Sequence, residues 1–493
     1  MKSPIVVLII GAGVGGIAAA AHLAQRGMSV TVIEKNTRPG GRCDHFSREG
    51  HCFDTGPTLM IFPHLYEAEF GALGASMQEM LQPQRIDPTY HLVFDDGRQL
   101  ALTSDQTWMR DQLEAFEPGS FRGFQRYMAE AKRHYDLSMS RLVYHDFRTA
   151  TDFFSPRNLP LVFGVDALIP HYRHMSAFFD DPHLKAAFTF EDVYMGLSPF
   201  EAPATFSMMP YTELVHGVWY PKGGMYRVVE ALMDIARRAG VKFLFNTPVR
   251  QIDVKGDRAR AVILEDGRHL EAEVVIANAD LPYVYQELLP DHALAENVTH
   301  KRFSCSAISF FWGIDKTYPE LGPHTLFLAD DYRGDFERID HHMSLPDKPS
   351  LYVHAPARLD SVHAPQGQDT LIAVIPVSHL DPKLDQEWAA MRDQARLAVF
   401  HRLETLGISD LPNHIKFEVV YTPLSWHKRY NLLKGATHGL SHTLTQMAYL
   451  RPHSQHPRYH NLYFVGASTH PGTGVPTALV SAHLVAERVM AQF

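Results

Sequence analysis

The apolar residues at the two ends of the chain follow the same order of elements. Residues 5–10 form a continuous apolar run typical of a buried parallel strand, residues 14–26 read as an alanine-rich helix stopped at Gly27, and residues 30–34 form a second strand. Near the other end, residues 462–465 predict a strand and residues 476–490 a helix with Pro476 in its first turn. Both ends therefore contribute to an α/β domain.

The middle of the chain contains two kinds of sequence. Residues 68–217 are rich in aromatic residues, Met, His and Pro, with helical stretches at 108–116 and 124–142, and residues 288–440 are mixed, with strands at 307–312 and 370–376 and a helix at 388–406. Between them, residues 225–236 predict a helix, and short strands follow at 241–245, 249–254, 261–264, 269–273 and 274–277. We predict a discontinuous Rossmann-like α/β domain of residues 1–70, 218–287 and 441–493, and an inserted α+β domain of residues 71–217 and 288–440.

Composition narrows the partners of the protein. The chain has 493 residues, 45% of them apolar, and a net charge of −9 without a Lys/Arg block, which disfavours nucleic acid. Three cysteines, Cys43, Cys52 and Cys305, form no paired framework, and this favours a reducing, cytoplasmic setting. Residues 5–24 could pass for a signal peptide, but their regularly spaced glycines favour a folded turn. No apolar run reaches about 18 residues, so any membrane contact is expected to be peripheral.

A glycine-rich turn between the first strand and the first helix carries the strongest local signal. Gly11 permits a tight turn, Gly13 lets backbone approach a pyrophosphate at the helix N-terminus, and Gly16 lets the helix pack on the strand. Glu34 ends the second strand, where a carboxylate accepts hydrogen bonds from ribose hydroxyls and disfavours a 2′-phosphate. The turn predicts FAD or NAD binding, and the remaining candidate residues beside it are Gly15 and Lys35.

A second element directly after the acid selects FAD. Pro39, Gly40, Gly41 and Arg42 resemble the second signature of FAD enzymes of the amine oxidase and phytoene desaturase type. The resemblance implies that Gly41 approaches the flavin pyrophosphate and that Arg42 adds a cation. Further residues that resemble the family's flavin contacts and the seam between its two domains are Asp54 to Thr58, with Pro57 and Thr58 as cofactor candidates, Trp219 to Gly224, Val249, and Ala277 to Asp280.

The segment near the C-terminus resembles the terminal signature of bacterial-type carotenoid desaturases. It runs from Gly466 to Pro476, and a helix N-terminus there would face the flavin ring and phosphates. The cofactor candidates it supplies are Gly466, Pro471, Gly472, Val475 and Pro476. The two ends of the chain are therefore expected to meet around one FAD, in an amine-oxidase-like fold.

The resemblance implies FAD-dependent desaturation of phytoene or a related long isoprenoid hydrocarbon, with hydride transfer to flavin N5. Carotenoid isomerases, saturases and terminal oxygenases share the architecture and stay open as alternatives, as does, from another class, a lipid-binding escort protein without catalysis. The flavin's electron acceptor is oxygen or a quinone. Asp152 resembles a family acid, but Ser155 stands where a basic residue is expected, so catalytic residues are left unassigned.

A long hydrocarbon substrate resides in lipid, so the protein is expected to dock peripherally on a membrane through Arg141 to Tyr194. The overlapping stretch of residues 153–206 suits either a buried helical core or an apolar substrate tunnel and docking face. The 30 histidines show no HExxH or Cys/His spacing, which gives no case for a metal site. A GxSxG elbow is missing from the sequence, and this argues against a hydrolase.

Overall fold

The computed structural model of the protein describes residues 4–156, 158–290 and 292–493. Its strands in chain order are β1 Val6–Ile10, β2 Ser29–Ile33, β3 His45–Arg48, β4 His51–Asp54, β5 Gln84–Ile86, β6 Tyr90–Phe94, β7 Gln99–Leu102, β8 Val218–Tyr220, β9 Lys242–Leu244, β10 Val249–Lys255, β11 Arg258–Leu264, β12 His269–Glu271, β13 Val274–Ala277, β14 Ser306–Ile314, β15 His324–Leu328, β16 Leu351–His354, β17 Asp369–Val377, β18 Ile415–Tyr421 and β19 Leu462–Phe464.

The α-helices, apart from short 3₁₀ and π turns, are α1 Val14–Gln25, α2 Pro63–Ala72, α3 Met77–Leu81, α4 Gln106–Phe116, α5 Ser120–Ser138, α6 Ala150–Phe153, α7 Leu159–Gly164, α8 His171–Met175, α9 Pro182–Ala187, α10 Met208–Tyr211, α11 Arg227–Arg238, α12 Leu281–Tyr283, α13 His292–Thr299, α14 Tyr332–Glu337, α15 Trp388–Glu404, α16 Leu411–His414, α17 Pro423–Tyr430 and α18 Val475–Gln492. Within the described ranges, none of these helices is both long and apolar enough to cross a bilayer.

A parallel five-stranded sheet, ordered β19-β13-β1-β2-β9, lies at the centre of the first part of the molecule. Its strands come from the three segments proposed for the Rossmann-like domain. The helices α1, α11 and α18 cover one face, and the antiparallel sheet β10-β11-β12 covers the other. Both faces of β1 are therefore buried from Val7 onward, which explains its unbroken apolar run and places most of residues 5–24 in the folded core.

A mixed seven-stranded sheet, ordered β18-β14-β17-β16-β15-β6-β7, dominates the second part of the molecule. Its strands alternate between two environments because successive side chains point to opposite faces. In β14, Ile308, Phe310 and Trp312 enter a core against α15, whereas Ser309 and Phe311 face a large cavity. The same alternation places Ile372, Val374 and Pro376 of β17 on the cavity side.

The sequence pattern located several of the buried elements and missed others, most of them in the seven-stranded sheet. The predicted strand 274–277 and the start of the helix at 388 are confirmed, and the predicted helix 124–142 begins at Ser120 and passes into a π turn, Met139–Val143. The strands β6, β7, β15 and β16 were not predicted. Residues 153–206 fit neither reading alone, since Phe179 is 1% exposed and Phe163 is 71% exposed.

Candidate functional site

One cavity of about 860 Å³ lies between the carboxyl edge of the parallel sheet and the inner face of the seven-stranded sheet. This is the edge at which open parallel sheets bind ligands. Fourteen of the sixteen predicted cofactor residues line it: Gly11, Gly13, Gly15, Glu34, Lys35, Gly41, Arg42, Pro57, Thr58, Val249, Gly466, Pro471, Val475 and Pro476. The other two, Gly16 and Gly472, lie outside the lining, and each packs tightly against a residue that lines the cavity, Gly11 and His442 respectively.

The first glycine turn is built so closely that side chains cannot enter it. Gly11 has a φ of +98°, a conformation that favours glycine. A Cβ on Gly16 would lie 2.3 Å from the carbonyl oxygen of Gly11, and one on Gly13 would lie 2.9 Å from Nδ2 of Asn278. The backbone N–H groups at the start of α1 therefore stay open to the cavity, as pyrophosphate binding requires.

Glu34, directly after β2, hydrogen-bonds to the backbone of this turn. Its Oε2 accepts from the backbone N–H of Ala12 and its Oε1 from that of Asn36, both at 2.8 Å. Burial raises the pKa of this carboxyl, and the two backbone hydrogen bonds oppose the rise. Each oxygen keeps a second lone pair, so the carboxylate can still accept from hydroxyl groups in the cavity.

The side chain of the neighbouring Lys35 hydrogen-bonds to a distant part of the chain. Its Nζ donates to the backbone carbonyl oxygen of Lys428 and to the side chain of Asn431. Both acceptors follow α17 or lie in it, outside the Rossmann-like turn. Lys35 thus lines the cavity while tying the two parts of the chain together.

The second glycine element packs directly on the first. A Cβ on Gly41 would lie 3.2 Å from Cα of Gly13, and one on Gly56 would lie 1.9 Å from the carbonyl oxygen of Arg42. The Arg42 guanidinium donates to the carbonyl oxygen of Thr437 at 2.9 Å. Burial lowers the pKa of Arg42, and the nearby Asp280 carboxylate opposes this. The loop therefore brings a buried cation to the wall of the cavity.

The Asp54 turn and the Gly223–Gly224 element, which were predicted to form the seam between the two domains, meet each other at a helix cap inside the Rossmann-like domain. The Asp54 carboxylate accepts from the backbone N–H of Met225 at 2.8 Å and of Tyr226 at 3.1 Å, at the start of α11. A Cβ on Gly224 would lie 2.7 Å from Asp54 Oδ2. The acid neutralises the amide dipoles at the helix N-terminus.

The two ends of the chain meet at Asn278, which follows β13. Its Nδ2 donates to the carbonyl oxygen of Gly11 at 3.1 Å. A Cβ on Gly466 would lie 3.1 Å from Asn278 Oδ1. The first and last glycine turns therefore share one side chain between them, and the groove they enclose is continuous.

Arg451, which was not predicted from the sequence, supports the glycine-rich turn that begins at Gly466. Its guanidinium is 2% exposed and donates only to backbone carbonyl oxygens. The five acceptors belong to Leu440, Ser441, Gln446, Ala467 and Thr469. Burial lowers the pKa of Arg451 to about 9. No local motif marks this residue, because its partners come from two separate loops.

The remaining part of the cavity is mostly apolar. It is walled by the inner face of the seven-stranded sheet and by helical residues that include Leu142, Phe206 and Met208. A few hydroxyl groups interrupt it, among them Tyr90, Tyr194 and Tyr352. This composition suits a long apolar ligand. Sequence reasoning missed the tyrosines because strand register decides which of them face inward.

Asp152 does not line this cavity. It lies in α6 at the surface, where its carboxylate is 3.3 Å from Nε2 of His145 and its backbone N–H donates to the capping hydroxyl of Thr149. The carboxylate is 41% exposed. Asp152 therefore faces solvent in the first turn of α6, and Thr149 is the residue that caps the helix.

The residues present fit FAD. Glycines without room for a Cβ, a helix N-terminus, a carboxylate beside that turn and a buried arginine together form a groove for a dinucleotide, and the groove opens into an apolar chamber. The fold and this groove define an FAD-dependent oxidoreductase of two interleaved domains.

Comparisons with known proteins agree with this class. The family model for flavin containing amine oxidoreductases matches residues 14–490. The chain is 41% identical over 486 residues to the zeta-carotene-forming phytoene desaturase of Myxococcus xanthus, across 98% of this chain and 93% of the relative. It is 39% identical over 508 residues to the phytoene desaturase of Fusarium fujikuroi, across 98% and 89%. Wild-type putrescine oxidase bound to putrescine shares the fold, with a TM-score of 0.68 at 15% identity over 99% of both chains.

The chain belongs to the flavin containing amine oxidoreductase family, and within it to the phytoene desaturases. The family and the flavin predicted from the glycine elements and the C-terminal turn are confirmed.

Proposed function

We propose that the protein is a carotenoid desaturase that introduces double bonds into phytoene or a related long isoprenoid hydrocarbon. The observation that carries the proposal is the continuity of the glycine-lined groove with an apolar chamber. A hydrocarbon chain offers no polar group for recognition, so shape and apolar contact must position it. The names of the relatives support the same substrate class.

The residues of the chain have separate tasks in this reaction. When bound, FAD supplies a hydride acceptor, which no side chain can provide. Gly11, Gly13 and Gly41 leave room for its phosphates, and Arg42 offsets their charge. The cavity walls made by β14 and β17 hold the substrate chain and exclude water.

The candidate docking surface is the apolar part of residues 141–194. Phe154, Phe163 and Leu168 are 50%, 71% and 60% exposed, and they follow the π turn whose Leu142 lines the cavity. Exposed aromatic and aliphatic side chains next to a cavity mouth insert favourably into the edge of a lipid layer. We propose that the substrate enters here from a membrane.

Two further parts of the function belong to the same proposal. Oxygen or a quinone reoxidises the flavin. A carotenoid isomerase, saturase or terminal oxygenase would use the same groove, and only its products would differ. A non-catalytic escort protein is disfavoured because the glycine elements that leave room for FAD are complete at both ends of the chain.

The test is reconstitution of the FAD-loaded protein with liposomes that contain phytoene, followed by chromatography of the polyenes. We expect products with longer conjugated systems and absorption at longer wavelengths. The same liposomes without phytoene are the control for carried-over pigment. Unchanged phytoene, or a product with the same number of double bonds, would contradict desaturation, and an oxygenated product would assign the terminal oxygenase.

A further inference from the structure

The hydroxyl group of Tyr352 stands at the seam of the two domains. Tyr352 lies on β16 and lines the cavity. Its oxygen is 2.8 Å from Oγ1 of Thr58 and 2.6 Å from Nδ1 of His324. Thr58 follows the turn of Gly56, which packs on the carbonyl of Arg42 in the flavin groove. The phenol is thus fixed between the cofactor loop and a histidine.

His324 is placed to receive a proton. It is fully buried on β15, and its ring is stacked on that of His354 with centroids 4.6 Å apart and planes 3° apart. His354 donates from Nδ1 to the carbonyl oxygen of Pro323 at 2.7 Å. Burial, and then the proximity of His354 and His91, lower the pKa of His324 well below its usual value. The imidazole is therefore neutral, with a lone pair available at one ring nitrogen.

A hydrocarbon substrate gives this hydroxyl nothing to bind. Keeping polar groups in the wall of an apolar chamber costs free energy that phenylalanine would not cost, since each must keep its own hydrogen bonds away from water. The bonds from Thr58 and to His324 satisfy the phenol and aim its oxygen at the seam. Such a group is better explained by chemistry than by substrate affinity.

Desaturation needs a proton acceptor as well as a hydride acceptor. A CH₂–CH₂ unit becomes CH=CH by losing one hydride, whose acceptor is the bound FAD, and one proton from the adjacent carbon. As the hydride leaves, positive charge develops next to that carbon and makes its remaining C–H bonds strongly acidic. A neutral hydroxyl or imidazole is then basic enough to accept the proton.

We propose that Tyr352, backed by His324, accepts this proton. The inference rests on the proposed desaturase function and names the acid–base residues of that same site. The substrate proton passes to the Tyr352 oxygen while the phenol proton moves to Nδ1 of His324, and the electron pair of the broken C–H bond forms the new π bond. Two electrons reach the flavin with the hydride. His324 becomes a short-lived imidazolium.

A second pair of hydroxyls in the cavity is the rival acceptor. Tyr90 and Tyr194 hydrogen-bond to each other. Burial raises the pKa of both hydroxyls, and the nearby carboxyl group of Glu213 adds to the rise. Among the described residues, one of the hydrogen bonds of the Tyr352 hydroxyl joins it to Thr58 in the cofactor loop, whereas the Tyr90 hydroxyl bonds to Tyr194. The position at the seam favours Tyr352.

The decisive variants are Tyr352→Phe and His324→Gln in the FAD-loaded protein. Phenylalanine keeps the ring and removes the acceptor, and glutamine keeps a hydrogen-bond acceptor but cannot take a proton. We expect each to slow product formation by about 100-fold or more. Flavin content and binding of phytoene, followed by quenching of flavin fluorescence, should stay as in the wild type. Tyr318→Phe is the matched control, because Tyr318 is a buried tyrosine whose hydroxyl donates to Asp410 away from the cavity.

A loss of less than about tenfold in Tyr352→Phe overturns the inference, as does a loss of 100-fold in Tyr194→Phe alone. Failure of the wild type to convert phytoene would instead sink the proposed function, so the two failures are distinguishable. A readout independent of activity is the ¹⁵N spectrum of histidine-labelled protein, with His324 assigned through His324→Gln. We expect an unprotonated Nδ1 whose resonance moves in Tyr352→Phe. A protonated Nδ1 on His324 would overturn the inference even if a variant loses FAD.

Discussion

His470 donates from Nε2 to the carbonyl oxygen of Leu142 at 2.9 Å, across 328 positions of the chain. His470 belongs to the last glycine-rich turn of the flavin groove, and Leu142 lies in the π turn that leads to the proposed docking surface. Burial lowers the pKa of His470 to about 4, so its ring is neutral near pH 7. The bond therefore couples the cofactor turn to the π turn that leads to the proposed docking surface.

Replacing His470 by alanine should make the π turn around Leu142 more mobile and leave the flavin groove intact. We expect the free energy of unfolding to fall by about 1 kcal/mol, the usual net value of one buried hydrogen bond, and cleavage by protease within residues 139–156 to accelerate. Urea unfolding and limited proteolysis measure the two effects. His341→Ala removes an exposed ring and serves as the control. Equal proteolysis of both variants would contradict the coupling.

Gly16→Ala should abolish FAD binding. Its Cβ would lie 2.3 Å from the carbonyl oxygen of Gly11, so α1 must move away from the turn that receives the phosphates. We expect purified protein without the flavin absorption band. Gly71→Ala is the matched control, since nothing lies within 4 Å of its added Cβ and alanine stabilises a helix by about 0.5–1 kcal/mol. Flavin retained by Gly16→Ala would show that the turn can shift at little cost.

Arg451→Lys should destabilise the last turn although the charge is kept. A lysine has three donors on a single nitrogen and cannot reach five carbonyl oxygens that surround a planar guanidinium. We expect a loss of about 3 kcal/mol or more in unfolding free energy, together with weaker FAD retention. Thermal unfolding with and without added FAD measures both, and the exposed Arg458→Lys should leave both unchanged.

Glu213 gives the stability of the protein a defined pH dependence. Burial raises its pKa from 4.5 to about 8, so the folded protein holds a proton that the unfolded chain releases at neutral pH. The free energy of unfolding therefore falls as pH rises from about 4.5 to about 8. Glu213→Gln cannot ionise, so we expect its stability relative to the wild type to grow through this window by up to about 1.4 kcal/mol per pH unit.

The check for Glu213 is urea unfolding at pH 6 and pH 8. The exposed Glu404→Gln should show the same pH dependence as the wild type. A constant difference between Glu213→Gln and the wild type would mean that this carboxyl group titrates near its ordinary value.

The docking surface predicts a loss of membrane binding without a loss of fold. Phe163→Ser combined with Leu168→Ser removes two side chains that are 71% and 60% exposed. We expect flotation with liposomes to weaken by more than tenfold, because each buried apolar side chain contributes about 1.5–3 kcal/mol. Leu397→Ser, on α15 and 56% exposed, is the control. Unchanged flotation of the double variant would place the docking surface elsewhere.

Local sequence determined the dinucleotide groove. Whether a residue must be glycine depends on its own backbone and on the atoms within a few ångströms, so Gly11 and Gly13 could be assigned roles from their spacing between a strand and a helix. The role of Gly41 followed from the resemblance of its segment to a family signature. The buried parallel strands were readable for a related reason, since burial on both faces demands apolar residues at every position. The sequence thus determined that the chain holds FAD and that its two ends meet around the cofactor.

Tertiary structure decided which polar side chains line and support the cavity. The partners of Tyr352 and His324 are set by strand register, and those of Arg451 by loops far apart in the chain. The residues that neighbour these three in sequence therefore give no signal for the contacts. A one-residue shift of β16 would turn Tyr352 away from Thr58 and into the opposite core. The physical reason is range: backbone geometry and burial pattern are local properties, whereas a hydrogen bond between distant strands exists only after the sheet has assembled.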